Sequence, residues 1–571
     1  MSTFFVRLRR ARAVASLACA TTVSASAGCA DLCTLEGECP EVATTGAPGT
    51  TGETSGSTSS GPDEEACPED PSDGPTREDC GVWASSSLGD DKHPGTRTMP
   101  VATLARAVEI AGGGSGSESG SGSGKRRVYA CAETFAEGVV VPRGVSLFGG
   151  FDCAHDWQSP PPVSEGDEGI EYADATAHHT VIAPAADVIP LLLAGAWKGE
   201  GEGAGEEDGE GESVLFGLSI RAADAKAPGG SSIGVLAEPG ARAALFRCDI
   251  TAGDGADGAP GAHGGEGPAP SGLPGSKGWD ACSGAVGLGG PPVIATCDDD
   301  EKSVGGNGGN GGTQLAGDGS PGTPEPTPNP ANQGAGGEGQ TAFTLCTAGT
   351  TGASGGVGTP GLGGAGPGRL TSLGFSGPRG KDGSHGKAGQ GGGGGGSSLG
   401  KLTVCPPGLG GGAGGGSGGS GGCGGKGGKG GRSGGASIGI ATRSDGVRLL
   451  SQVHITTGTG GRGGKGGTAQ LGGSGGAAGP GGSGAKTADD DVPPGCPGMF
   501  GGHGGHGGHG GGGAGGPSIG VAYSSFFPPD IQGLLLVALG KGGPGGNGGN
   551  PGVEESVGAD GGEAEVSALE P

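Results

Sequence analysis

The phrase Ser-Ile-Gly followed by Val or Ile occurs three times, at Ser232, Ser437 and Ser518, and each copy leads through an apolar stretch into a glycine-rich tract. The segments Ser232–Gly253 and Ser437–Gly458 are equal in length and match Leu245 with Leu450, Ile250 with Ile455 and Thr251 with Thr456. A short unit repeated in this way buries its apolar face only by stacking on its neighbours. The tracts between copies differ in length, so the repeat is unevenly spaced. A second echo lies upstream, where SVLFGLSIRA (213–222) matches AALFRCDITA (243–252) at Leu215/Leu245, Phe216/Phe246 and Ile220/Ile250.

Composition excludes one large aliphatic core. The 149 glycines and 42 prolines make up about a third of the 571 residues, and only 3% are aromatic, so apolar material has to be concentrated in a few strands. A net charge of −27 speaks against nucleic acid or an anionic membrane surface as partner, since both need clustered Lys and Arg. The acidic runs 200–212 and 298–301 lack the ligand spacing of an EF-hand or nonapeptide calcium loop and read as solvated loops.

Arg7, Arg9, Arg10 and Arg12 precede a weakly apolar run over 13–27, the layout of an export signal. The run ends Ser26-Ala27-Gly28-Cys29, which resembles a bacterial lipobox with Ser26 where Leu is usual; this implies lipidation at Cys29 and a membrane link only through that anchor. The fifteen cysteines include no CxxC pair of the kind that zinc sites use. Scattered through glycine-rich sequence, they point to disulfides in an oxidising compartment.

The organisation follows from these signals: a signal peptide over 1–28, an anchor region and Thr/Ser/Gly linker over 29–66, a cap and strands over 67–257, and a glycine-rich insertion over 258–435. A rung over 436–458, a second insertion over 459–516, a rung over 517–540 and a glycine-rich acidic tail over 541–571 complete the chain. Pro100 precedes a helical pattern at Leu104, Ala107, Val108 and Ile110, stopped by Gly112. Short strands are expected within 128–135, 138–152, 180–195 and 213–222, separated by Pro and Gly turns.

The pattern Gly95, Thr96, Pro100, Thr103 and Ala107, followed by VYAC (128–131) and VPRGVSLFGGF (141–151), resembles bacterial right-handed parallel β-helix proteins of the pectin-lyase-like superfold. The resemblance covers roughly 90–257 and the two later rungs. It implies an all-β fold, a right-handed parallel β-helix with a short N-terminal capping helix, interrupted by the glycine-rich insertions.

The tracts carry a local period of three, as in GGNGGNGGT (305–313), GGKGGKGG (424–431) and GGHGGHGGHGG (501–511). Three residues per turn is the polyproline-II repeat. Collagen is excluded because the Gly-X-Y register breaks repeatedly. The tracts resemble PGRS-type surface sequences and the glycine-rich antifreeze proteins built as polyglycine-II bundles; a disordered loop is the other arrangement open to them. In the extended form His503, His506 and His509 stand about 9.3 Å apart, too far to share one ion bound at about 2.0–2.1 Å, so they are weak metal candidates.

No GxSxG elbow, HExxH pair or P-loop occurs. Asp249 and Asp445 are the rung acids, and Asp249 aligns with His454 and Asp445 with Pro239 or Gly240, so no carboxylate pair forms. The expected protein is an exported, lipid-anchored component of the outer membrane or cell surface, structural or adhesive, without catalytic residues or cofactor. Its partners would be surface glycans or envelope proteins. A polysaccharide lyase or hydrolase and an ice- or surface-binding protein are the alternatives.

Overall fold

In a computed structural model the chain divides between Glu65 and Ala66 into two units. Residues 78–113, 126–159, 178–195 and 211–571, except 299, 525 and 534, are described; all belong to the second unit. Cys29 and the export signal lie outside them.

The fold is all-β, with long sheets of parallel strands and very little helix. One sheet of six strands runs in the order Glu563–Leu569, Ser518–Ser524, Ser437–Thr442, Ser232–Ala237, Leu191–Ala194 and Val139–Pro142. A second has eleven strands, and two of them, Ser213–Ala222 and Arg242–Ala252, are long enough to bend and serve two rows of partners. Their first halves align with Ser146–Phe151 and Gly446–Leu449, their second halves with Thr180–Ile182 and Val453–Thr457. The bend falls at Gly217 and Arg247, both with positive φ (+66° and +49°), and Gln452 takes the same conformation (+60°) one level on. Glycine adopts this region without steric strain, whereas Arg and Gln do so only when their surroundings hold them there.

Side chains of the same type stack in columns through the interior. One runs Val128, Leu147, Leu215, Leu245, Leu449, Ile531; a second runs Ile182, Ile220, Ile250, Ile455, Val537. A third runs Val139, Leu191, Val235, Ile440, Val521, Val566. Most of these side chains are fully buried in one cluster, and each contributes about 1.5–3 kcal/mol by leaving water. The helix Leu104–Ala111 covers the first end of the stack with Leu104, Ala107, Val108 and Ala111. Its free N–H groups are satisfied from afar: Thr103 caps it, and Glu137 accepts from Leu104 N–H (2.7 Å) and Ala105 N–H (3.2 Å).

Each residue of the repeated phrase has its own task. Ser232 Oγ and Ser437 Oγ accept the N–H of Gly253 and Gly458 (both 2.8 Å), the first residues of the outgoing tracts. Ile233, Ile438 and Ile519 fill a second apolar cluster on the other side of the six-stranded sheet. A Cβ at Gly234, Gly439 or Gly520 would come within 2.6, 2.2 and 2.7 Å of Ile250, Ile455 and Val537, so these glycines make room for the second core column.

The register differs from the sequence alignment at one point. Leu245 pairs with Leu449, not Leu450, because the 437 rung is one residue shorter before Gly446 and one longer before Val453. The two shifts cancel, which is why the segments have equal length. The acidic tail also returns to the sheet: Glu563–Leu569 pairs in parallel with Ser518–Ser524.

The glycine tracts leave after Ala252, Thr457 and Ala538 and return at Ser437, Ser518 and Glu563. Within the tract 411–435 three consecutive N–H groups donate in three directions: Gly416 to Cys496, Ser417 to Ser276 and Gly418 to Gly306. Gly419 and Ser420 then repeat the cycle to Met499 and Leu273. Each tract is therefore hydrogen-bonded into its neighbours with a three-residue repeat. The approach is so close that a Cβ on Gly418 would sit 1.9 Å from Gly392 O. Three disulfides cross this region, Cys282–Cys405, Cys297–Cys423 and Cys346–Cys496, and Cys131–Cys153 lies in the strand region. Cys80 is disulfide-bonded as well.

Two outcomes test this architecture. Ile250→Ala, a buried truncation in the middle of a column, is expected to lower stability by about 2–5 kcal/mol in denaturant unfolding. Gly418→Ala is expected to lower stability by about 1–3 kcal/mol through overpacking and to remove amide-exchange protection along 411–435, while Lys465→Ala, on an exposed position, leaves both unchanged.

Candidate functional site

The outward side of the bent strands carries a cluster of titratable side chains that spans four levels of the stack. Asp249 and His454 are register partners on adjacent parallel strands, and His454 Nδ1 lies 3.0 Å from Asp249 Oδ1. His179, immediately before Thr180–Ile182, places its Nδ1 2.9 Å from Asp249 Oδ2. Asp249 therefore uses one oxygen for each imidazole. Burial alone would raise its pKa, but the contacts from His179 and His454 outweigh burial and hold it well below the usual carboxylate range.

Next to this cluster Ser219 pairs with Asp249 across the strands and receives a hydrogen bond from Arg221 Nε (3.1 Å). Inward from it, Cys248 is fully buried as a free thiol, its pKa pushed up to about 12 by burial and, to a lesser degree, by the Asp249 charge. A thiol so placed is an apolar filler, not a nucleophile. The two imidazoles approach Asp249 from different strands and attach to different oxygens. The arrangement is a clasp that reaches from the level of Thr180–Ile182 past Ser213–Ala222 to Arg242–Ala252 and Val453–Thr457, four successive levels.

The alignment of Asp249 with His454 was legible from the repeat. His179 was not, because it lies outside the repeated segments and reaches Asp249 only through the stacking. Asp445 sits exposed in the turn before Gly446, level with Ala241 at the start of the strand whose second half bears Asp249; the two acids are not brought together.

His503 and His506 are exposed and His509 half-buried along one tract. His506 Nδ1 and His509 Nδ1 accept the N–H of Gly472 (3.0 Å) and Ala469 (3.2 Å), so these rings bind backbone. No group of three or more His, Cys, Asp or Glu side chains among the described residues is arranged to hold a metal ion. Two acids of the 298–301 run pair with tract lysines, Asp298 with Lys426 at 2.7 Å and Glu301 with Lys387 at 3.7 Å. Glu212 meets Arg448 at 2.9 Å. The two lysine pairs fasten the 298–301 loop to the tracts, and the arginine pair holds Glu212 on a strand.

No helix among the described residues is long and apolar enough to cross a membrane. Comparison with protein-family models, characterised proteins and solved structures finds no significant match.

The clasp makes a pH prediction. A carboxylate whose folded pKa is depressed stabilises the fold above its unfolded pKa of about 3.9, and that stabilisation is lost as pH falls through the folded value. Asp249→Asn is expected to lower stability by about 1–3 kcal/mol at pH 7, with the gap between variant and parent narrowing below about pH 4 in urea unfolding measured across pH.

Proposed function

We propose that this chain is an exported, non-catalytic component of the cell envelope, structural or adhesive, in which a rigid stem carries a contact body made of glycine tracts. On this reading the parallel strands wind as a right-handed β-helix, and the tracts form a bundle of polyglycine-II-type helices held away from the membrane by the Thr/Ser/Gly linker and a lipid on Cys29.

The observation that carries the reading is the three-directional hydrogen bonding of the tracts, as at Gly416, Ser417 and Gly418. A segment that satisfies its backbone in this way is a building material: it spends its sequence on close approach between chains and presents every third residue outward. Thr459, Arg462 and Lys465 are such an exposed row. The disulfides that cross the tracts favour an oxidising compartment, in agreement with the basic-then-apolar leader. An envelope glycan enzyme would need an acid pair; the side chains that engage Asp249 are imidazoles.

Protease treatment of intact host cells tests the proposal. Release of the segment beyond Asp90 from whole cells is the expected result. Complete protection until the envelope is opened would overturn surface display. Slow amide exchange through 411–435 and 501–516 in the released fragment is the expected signature of the bundle.

A further inference from the structure

The backbone register brings five turns to one end of the tract region, the end away from the stacked strands. Turn 282–289 meets 411–414 through Cys282 N–H to Gly411 O and Gly414 N–H to Trp279 O, and meets 311 through Gly287 N–H to Gly311 O. Gly400 N–H reaches Gly312 O beside turn 313–315, and Gln340 N–H reaches Ser397 O at turn 340–346. Turn 399–410 reaches turn 487–490 through the ion pair Lys401–Asp490 at 2.7 Å. Two disulfides lock the group: Cys282–Cys405 joins the first turn to the fourth, and Cys346–Cys496 joins the third to the tract that follows the fifth.

In a chain poor in large apolar residues, these turns put several of them into solvent. Phe343 is 97% exposed, Leu315 77%, Leu402 71% and Leu345 66%, with Val286 and Leu288 about half exposed beside them. Phe343 is held out by a tight turn in which Thr341 Oγ1 accepts the N–H of both Phe343 (3.1 Å) and Thr344 (3.0 Å). Isolated surface apolar residues are ordinary; a group gathered on cross-linked turns at one end is a contact surface. Charge is nearly missing from four of the five turns. Lys401 is the one charged residue in the four turns 282–289, 313–315, 340–346 and 399–410, although 16% of the chain is charged.

We infer that this end is a lipid-contacting tip, whose Leu and Phe side chains enter the outer acyl layer of a zwitterionic membrane. The exposed side chains come from four turns with almost no charge between them, and hydrocarbon deforms around each of them. The first four turns offer almost no charge whose desolvation would oppose entry. The fifth turn, with Asp489 and Asp490 and with Asp491 directly after it, disfavours anionic headgroups and sets the preference for zwitterionic ones. The inference deepens the adhesive reading and rests on it for its biological setting, but the surface-display and lipid assays fail independently.

The test is flotation of the full chain with phosphatidylcholine vesicles, using Cys29→Ser so that no acyl anchor contributes. The parent should float, and the triple variant L315S/F343S/L402S should show a partition coefficient lower by about tenfold or more. The flank variant V357S/L471S, which removes two exposed apolar residues from mid-tract, should float like the parent. Matching disulfide content and amide-exchange protection in all three proteins ensures that the comparison is between folded chains. Failure of the parent to float, or equal flotation of the parent and the tip variant, overturns the inference. Capture of another protein by the tip in the absence of vesicle binding would do the same.

Discussion

Backbone-to-backbone hydrogen bonding between tracts that lack a Cβ at their points of contact is the interaction on which the rest of the molecule depends. A Cβ on Gly394, Gly418 or Gly435 would come within 1.7–1.9 Å of a carbonyl oxygen on a neighbouring tract or, for Gly435, on the loop at Gly230, so these positions admit only glycine at the observed spacing. Each such contact substitutes for the apolar burial that an ordinary domain uses. Ordering so many glycines is entropically unfavourable, and the disulfides at Cys282–Cys405, Cys297–Cys423 and Cys346–Cys496 offset part of that loss by restricting the unfolded chain.

The strand stack and the tracts are mechanically one object. The serine of each repeated phrase sits at the junction: Ser232 and Ser437 hold the first N–H of an outgoing tract, and Ser518 bonds to Thr457 Oγ1 (2.8 Å) and Gly458 O (3.0 Å). A hairpin from the tracts, Arg369–Thr371 with Gly374–Ser376, lays Leu370 and Phe375 on the apolar cluster around Ile233, Ile438 and Ile519. Tract positions are thus anchored to rungs at both ends, and the turns at the far end inherit that rigidity. This is the physical basis for treating their exposed Leu and Phe side chains as a built surface.

The clasp of His179, Asp249 and His454 illustrates how a polar group is kept on a β-surface without becoming a reactive centre. Its carboxylate is charged, half-buried and engaged through both oxygens. The nearby thiol of Cys248 faces the apolar interior. What the cluster supplies is cohesion between levels, in a region where one neighbour in the stack is reached only after a long excursion through glycine.

Local pattern determined a good part of this protein. The helix at Leu104–Ala111, the strands from Arg127 to Ala252, the repeat that pairs Ile250 with Ile455, and the points where tracts leave the rungs all follow from periodicity, turn residues and a repeated phrase, because those features are encoded within a few residues. Tertiary structure alone decided the rest. The shift that pairs Leu245 with Leu449 depends on corner lengths that cancel in the alignment, and the strand Glu563–Leu569 hides in an acidic tail whose alternation has meaning only beside Ser518–Ser524. The tracts' order, the disulfide partners, the arrival of His179 at Asp249 and the gathering of five turns at one end all depend on contacts between residues far apart in the chain. A three-residue repeat of glycine fixes the direction of each N–H but not which neighbour receives it, and that choice belongs to the assembled molecule.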